Sequence, residues 1–144
     1  MELSNLQRVD MYEKIRIEKL KTENANVIVN WCKDKDEDFL RQWAGRGYIY
    51  PLTETQISER LEDGAEIFEA HLNGKVIGTI EIISREKQDN TALIGRFILD
   101  PSVTGKGLGT EVLQTFLQQK CGFVETGRAE RPNGWKTINM KKVL

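Results

Sequence analysis

Apolar residues recur along the chain with two different periods, and the changes of period lay out the elements. Ile15-Arg16-Ile17-Glu18-Lys19-Leu20 alternates apolar and polar, which predicts a half-buried strand. Val27, Ile28, Trp31 and Cys32 fall on one helical stripe, with Thr22 as its candidate cap. The run Asp34 to Asp38 (DKDED) reads as a solvated turn, and its acids also favour a helix start ahead of Phe39-Leu40-Arg41-Gln42-Trp43. Thr53 and Gln56 have the spacing of a capping box, with Leu52 and Ile57 as its hydrophobic staple. A helix is therefore expected from Glu54 to about Asp63, ended by Gly64. Two apolar runs, Ile67 to Leu72 and Lys75 to Ile83, are joined by Asn73-Gly74, the strongest short-range hairpin signal. A polar loop over Ser84 to Asn90 and a strand over Ala92 to Leu99 follow. Leu108, Val112, Leu113, Phe116 and Leu117 then make one more helical stripe. Pro132-Asn133-Gly134 is a turn signal, and Trp135 to Leu144 reads as a terminal strand. Residues 1–14 are a polar lead-in with Leu3, Leu6 and Val9 at helical spacing.

Three polar positions stand out against this pattern. Glu81 is a carboxylate in an otherwise apolar strand, so it either faces solvent or is held at a site, and Arg96 is the one charged residue of the strand before the glycine loop. His71, beside the hairpin turn, reads as a surface histidine. The segment Trp43-Ala44-Gly45-Arg46-Gly47-Tyr48-Ile49-Tyr50-Pro51 is aromatic and glycine-rich; its rings either line a pocket or cover the edge of the core.

The chemistry is concentrated after Leu99. Pro101 ends the strand ladder because it has no N–H to donate. Thr104-Gly105-Lys106-Gly107-Leu108-Gly109 then places three glycines at alternate positions ahead of a helix. Without Cβ atoms in the way, the loop's N–H groups can converge on an anion, and the helix dipole adds positive character at the same point. The expected guest is a phosphate or pyrophosphate; the bland alternative is a glycine-rich turn with no ligand. The spacing is neither GxxxxGK followed by Ser or Thr nor GxGxxG, because Gly107 follows Lys106 and Thr110 stands where a final glycine would be.

Composition narrows the class. At 144 residues the chain is long enough for one domain with a true core. A net charge of −1 gives no electrostatic footprint for nucleic acid or an anionic membrane. Two cysteines, Cys32 and Cys121, are too few for a disulfide framework. With no apolar leader at the N-terminus, a cytoplasmic location is expected.

Leu99-Asp100-Pro101-Ser102-Val103-Thr104-Gly105-Lys106-Gly107-Leu108-Gly109 resembles motif A of the GCN5-related N-acetyltransferases, V-x-P-x-x-R-G-K-G-I-G, with Thr104 in place of Arg or Gln. Val76 to Ile82 is similar to the family's VIGxxxL strand, and Cys121 to Arg128 to its K-x-G-F-x-x-x-G-R segment. The Trp43 to Thr53 stretch resembles the WAG…Y…PLT region of some bacterial members, which helps wall the acceptor pocket. The resemblance implies a single α/β domain: a mixed, mostly antiparallel sheet flanked by helices. It implies acetyl-CoA as cosubstrate, held by Leu99, Thr104, Gly105, Lys106, Gly107, Leu108, Gly109 and Thr110, and transfer of acetyl to a primary amine. Glu81 is the implied general base, and Trp43, Tyr48 and Tyr50 the implied acceptor contacts. No metal is expected. The partner is a small-molecule or peptide amine, and a homodimer is left open.

One junction departs from the family. In relatives a strand and a helix separate the motif A helix from the KxGF segment, roughly 25–30 residues by average element and loop lengths. Here that helix runs directly into Gln118-Gln119-Lys120-Cys121-Gly122-Phe123, and Gln118 takes the place of the family's frequent general-acid tyrosine. The domain expected over residues 15–144 therefore lacks a strand–helix unit near 118–120. An omitted segment, a true deletion and a partner chain are the three explanations, the first being preferred. A non-catalytic acyl-CoA-binding or scaffold domain is the alternative function.

Overall fold

The computed structural model describes residues 15–89, 91–105, 107–121, 123–130 and 136–142. The lead-in and the Pro132-Asn133-Gly134 turn lie outside the described residues. Strand β1 (Ile15–Lys19) leads through a short 3-10 turn into helix α1 (Ala25–Cys32), followed by α2 (Glu37–Ala44) and α3 (Glu54–Glu62). Strands β2 (Glu66–Leu72), β3 (Lys75–Glu86) and β4 (Thr91–Leu99) come next, then helix α4 (Leu108–Phe116). A π-helical turn, Leu117–Cys121, passes into β5 (Phe123–Glu130), and β6 is Lys136–Lys142. The sheet order is β1-β2-β3-β4-β6-β5, and each described pair is antiparallel.

Local chemistry accounts for most boundaries. Asp36 accepts from the Phe39 N–H at 2.9 Å and starts α2; Thr53 accepts from the Gln56 N–H at 3.3 Å and starts α3. Gly64, at φ 93°, ends α3. Asn73 (φ 52°) and Gly74 (φ 80°) are both left-handed, which gives the hairpin a turn whose twist matches its strands. Gln56 does not complete the capping box. Its side chain instead bonds the Ile49 N–H, the Ile49 carbonyl and the Pro51 carbonyl, fastening the aromatic loop to α3. Thr22 makes no side-chain cap, and α1 begins three residues later. The expected polar loop at 84–90 is shorter than its composition suggests. Ser84, Arg85 and Glu86 continue β3 opposite Leu93, Ala92 and Thr91, because an exposed ladder tolerates polar side chains.

Helices cover both faces. On one, Ile28, Trp31, Leu40 and Ile57 of α1–α3 pack with Ile67 and Ile98. On the other, Val112 and Phe116 of α4 pack against Ile17, Phe68, Ile80 and Ile82, with Phe68 and Phe116 edge to face at 5.3 Å. His71 is a correction: it is buried, not on the surface, because its strand position shares a face with Ile67 beneath the helices.

The chain after α4 matters most for the site. Among the described residues, β4 meets β6 at a single register pair, Thr91↔Lys141. The Phe97–Leu99 end of β4 is paired with β3 on one side, through Gly78↔Leu99 and Thr79↔Ile98, and with no described strand on the other.

Candidate functional site

The loop after β4 is built by short-range bonds. Asp100 donates its N–H to the Ile77 carbonyl at 2.7 Å, the last link to β3. Its carboxylate accepts from the Ser102 N–H at 2.9 Å, which folds Pro101–Val103 into one 3-10 turn, and lies 3.3 Å from Lys75 Nζ. Burial pushes the Asp100 carboxyl up, but the Ser102 bonds and Lys75 outweigh it and hold it below the usual carboxylate value. Thr104 turns its hydroxyl back onto the Pro101 carbonyl at 3.0 Å. This side chain therefore serves its own turn.

Gly105 and Gly107 have φ of 81° and 76°, a region that side chains disfavour. A Cβ built on either would meet nothing within 4 Å, so the front of the loop is open. Gly107 caps α4 without a side-chain bond, which leaves the first-turn N–H groups of Leu108, Gly109 and Thr110 without intrahelical acceptors. Gly109 sits against β4: an added Cβ would come 3.4 Å from Leu99 Cδ1. Leu108 is buried as the helix anchor. Leu99, Thr104, Gly105, Gly107, Leu108, Gly109 and Thr110 are thus one continuous unit, and Lys106 lies outside the described residues. An open, backbone-lined cradle at a helix N-terminus fits a pyrophosphate.

Glu81 lies elsewhere, beneath α1–α3, and is 3% exposed. Arg60 of α3 grips it with both guanidinium arms, Nη1 to Oε1 at 2.6 Å and Nη2 to Oε2 at 2.7 Å. Arg96 Nη1 donates to Oε2 as well, and Arg96 Nε donates to the Ala44 carbonyl at 2.9 Å. Arg96 reaches this face through a bulge. Glu81 faces Gly95 and Thr79 faces Ile98, so Arg96 and Phe97 together oppose Ile80, and Arg96 takes φ 47°. Gly47 leaves room for it: a Cβ there would stand 2.8 Å from Arg96 Nε. The Glu81 bond raises the Arg60 pKa further, so the guanidinium stays cationic. Three guanidinium N–H donors occupy this carboxylate and leave neither oxygen free of a cation. The expectation that Glu81 is a base does not fit this geometry.

The three aromatic residues are not gathered into one pocket. Trp43 and Tyr48 are buried and stacked at 5.7 Å, with Arg60 over the Tyr48 ring at 5.2 Å and its Nη1 on the hydroxyl at 3.3 Å. Burial raises the Tyr48 pKa, with Arg60 acting the other way. Tyr50 is 47% exposed and borders a cleft of about 250 Å³ with Val29, Cys32, Phe39 and Pro51. The Arg60–Glu81–Arg96 clamp was missed in the sequence. Arg96 was visible as a charge in an apolar strand, but nothing marked Arg60 among the other charges of α3.

The chain is similar to known proteins in sequence and in fold. The sequence pattern of the acetyltransferase (GNAT) family matches residues 28–123. The fold is similar to that of ribosomal-protein-S5-alanine acetyltransferase from Vibrio fischeri, with TM-score 0.58 and 18% identity over 89% of this chain and 92% of that one. It is similar to aminoglycoside acetyltransferase AAC(6')-Ib in complex with coenzyme A, with TM-score 0.58 and 16% identity over 90% and 95%. Microcin C7 self-immunity acetyltransferase MccE, in complex with acetyl-CoA and AMP, gives 0.56 and 17% over 90% and 92%. Among the described residues no helix is long and apolar enough to cross a membrane.

Proposed function

The chain belongs to the acetyltransferase (GNAT) family, and we propose that it moves an acetyl group from acetyl-CoA to a primary amine. The observation that carries this is the β4–glycine loop–α4 unit, whose open front and first-turn amides without intrahelical acceptors suit a pyrophosphate. Solved relatives hold acetyl-CoA or coenzyme A. Acetyl-CoA supplies an activated thioester; the amine nitrogen displaces its thiol and forms an amide. The loop amides from Gly105 to Thr110 anchor the cofactor, and backbone N–H at the Leu99 end of β4 takes the charge that develops on the thioester oxygen. Relatives act on a ribosomal protein or on aminoglycosides, so peptide and small-molecule amines are the acceptor classes to screen. We assign acceptor contact to the exposed Ile49 and Tyr50 rather than to the buried Trp43 and Tyr48.

The second reading is a non-catalytic acyl-CoA-binding domain. Two observations favour it: Glu81 is clamped, and the Phe97–Leu99 edge lacks a described partner strand. CoA titration and acetyl transfer to an amine panel separate the readings. Wild-type protein is expected to bind CoA and release thiol with at least one amine, and Gly109→Glu to lose CoA binding with an unchanged circular dichroism spectrum. Binding without turnover selects the second reading, and equal CoA affinity in Gly109→Glu removes both. We attribute the interruption near Gln118 to a strand–helix segment missing from this sequence. The intact natural protein should then exceed 16.5 kDa by about 3 kDa, the mass of roughly 25–30 residues. A mass equal to 16.5 kDa refutes the omission.

A further inference from the structure

A second cluster lies on β1 and β2, away from the glycine loop. The register sets Glu18 opposite Glu69 and Arg16 opposite His71, while Glu69 and His71, two apart on β2, share a face. Glu69 is 0% exposed. Its Oε2 accepts from Asn24 Nδ2 at 2.6 Å, just ahead of α1. Its Oε1 and His71 Nε2 are buried without a hydrogen-bond partner among the described residues, although they stand 3.5 Å apart. Glu18 Oε2 is 3.7 Å from the same Nε2.

These spacings are too long for N–H···O bonds, which close to about 2.7–3.2 Å. They do suit ligands around a shared cation. Four ligands at about 2.0–2.1 Å from zinc, set tetrahedrally, stand about 3.4 Å from one another. One ligand atom from each of the three residues lies within 4.8 Å of the other two. We propose that Glu18, Glu69 and His71 form a site for a divalent transition-metal cation, with a fourth position left for water.

Two carboxylates balance the charge of a dication, and the imidazole favours zinc or its neighbours over magnesium and calcium. Asn24 supplies the outer hydrogen bond that fixes a ligating carboxylate. Glu18, whose side chain is 36% exposed, opens the site to solvent. The nearby cations leave it accessible. Arg16 Nε holds the other Glu18 oxygen at 3.1 Å, and Lys21 Nζ is 4.0 Å from Oε2 on a side chain 56% exposed that can swing away. A bound ion ties β1 to β2.

The test uses tag-free protein stripped with EDTA and titrated with ZnCl2 by calorimetry, then with CoCl2 by visible absorption. Wild type is expected to take one equivalent of zinc, to show a four-coordinate cobalt spectrum, and to unfold at a higher temperature with zinc but not with MgCl2. Glu18→Gln and His71→Gln should each weaken zinc at least tenfold and abolish the cobalt bands. Glu18→Gln alters a half-exposed side chain, so its readout does not depend on the core folding again. Zinc affinity in the Glu18→Gln/His71→Gln double variant equal to wild type, or no zinc binding by wild type, overturns the proposal.

Discussion

Glu81 and Glu69 are both strand glutamates, both buried, and both on the face covered by α1–α3, yet their surroundings differ. Glu81 has each oxygen bonded, with Arg60 and Arg96 converging from α3 and β4. Among the described residues, Glu69 has one oxygen on Asn24 and one with no partner, 3.5 Å from an equally unpartnered imidazole nitrogen. Burial alone therefore does not mark a reactive carboxylate. A fully bonded one is fixed in place and holds elements together: Arg60 ties α3 to β3, and Arg96 ties β4 to the end of α2 through the Ala44 carbonyl. A half-bonded one retains a lone pair for a ligand.

The largest expected effect separates the two. Glu81→Gln leaves two guanidiniums, with side chains only 24% and 18% exposed, facing a neutral amide. Breaking a buried ion pair from one side costs about 3–5 kcal/mol, and urea unfolding at pH 7 should show a loss of that size. Glu69→Gln, measured beside it in EDTA, should stay within about 1 kcal/mol. The amide oxygen can still accept from Asn24, and no buried cation loses its counter-charge. Equal losses in the two variants would break the comparison.

The difference could not be read from the chain. Periodicity marks strands and helix stripes, so β1, the Asn73-Gly74 hairpin and the motif A helix were legible to within a few residues. The glycine loop was legible because Gly105 and Gly107 have a conformation that few other residues adopt. Partners distant in sequence were not. Arg60 and Glu81 are 21 residues apart, and Asn24 and Glu69 are 45 apart. Arg96 reaches its place only through a bulge that shifts the strand's alternation by one. His71 was misplaced for a related reason: in sequence it stands two residues before the Asn73-Gly74 turn, whereas its neighbours in space are Glu69 and Glu18. Trp43, Tyr48 and Tyr50 looked like one pocket wall because they are close in the chain, but the fold buries two and exposes the third.

The smallest expected effect isolates burial from geometry. Glu66 and Arg85 form a fork like that of Glu81 and Arg60, with Nε to Oε2 at 2.8 Å and Nη2 to Oε1 at 2.9 Å. Here the side chains are 34% and 48% exposed, so water competes for both charges. Pairs of this kind contribute about 0.2–1 kcal/mol, and Glu66→Gln should cost no more than that at pH 7. The Arg85 hydrogen bond lowers the Glu66 pKa from its ordinary 4.5, slight burial acting the other way. A carboxyl with a lowered folded pKa stabilises above its unfolded value and loses that stabilisation as pH falls through the folded one. The gap between wild type and Glu66→Gln should therefore be full above 4.5 and close on acidification below it. At about 0.5 M NaCl the gap should shrink, because the screening length there is only a few ångströms. The gap for Glu81→Gln, shielded by α1–α3, should keep its size in the same salt. A Glu66→Gln loss as large and as salt-resistant as that of Glu81→Gln would mean that the fork, not its burial, sets the energy.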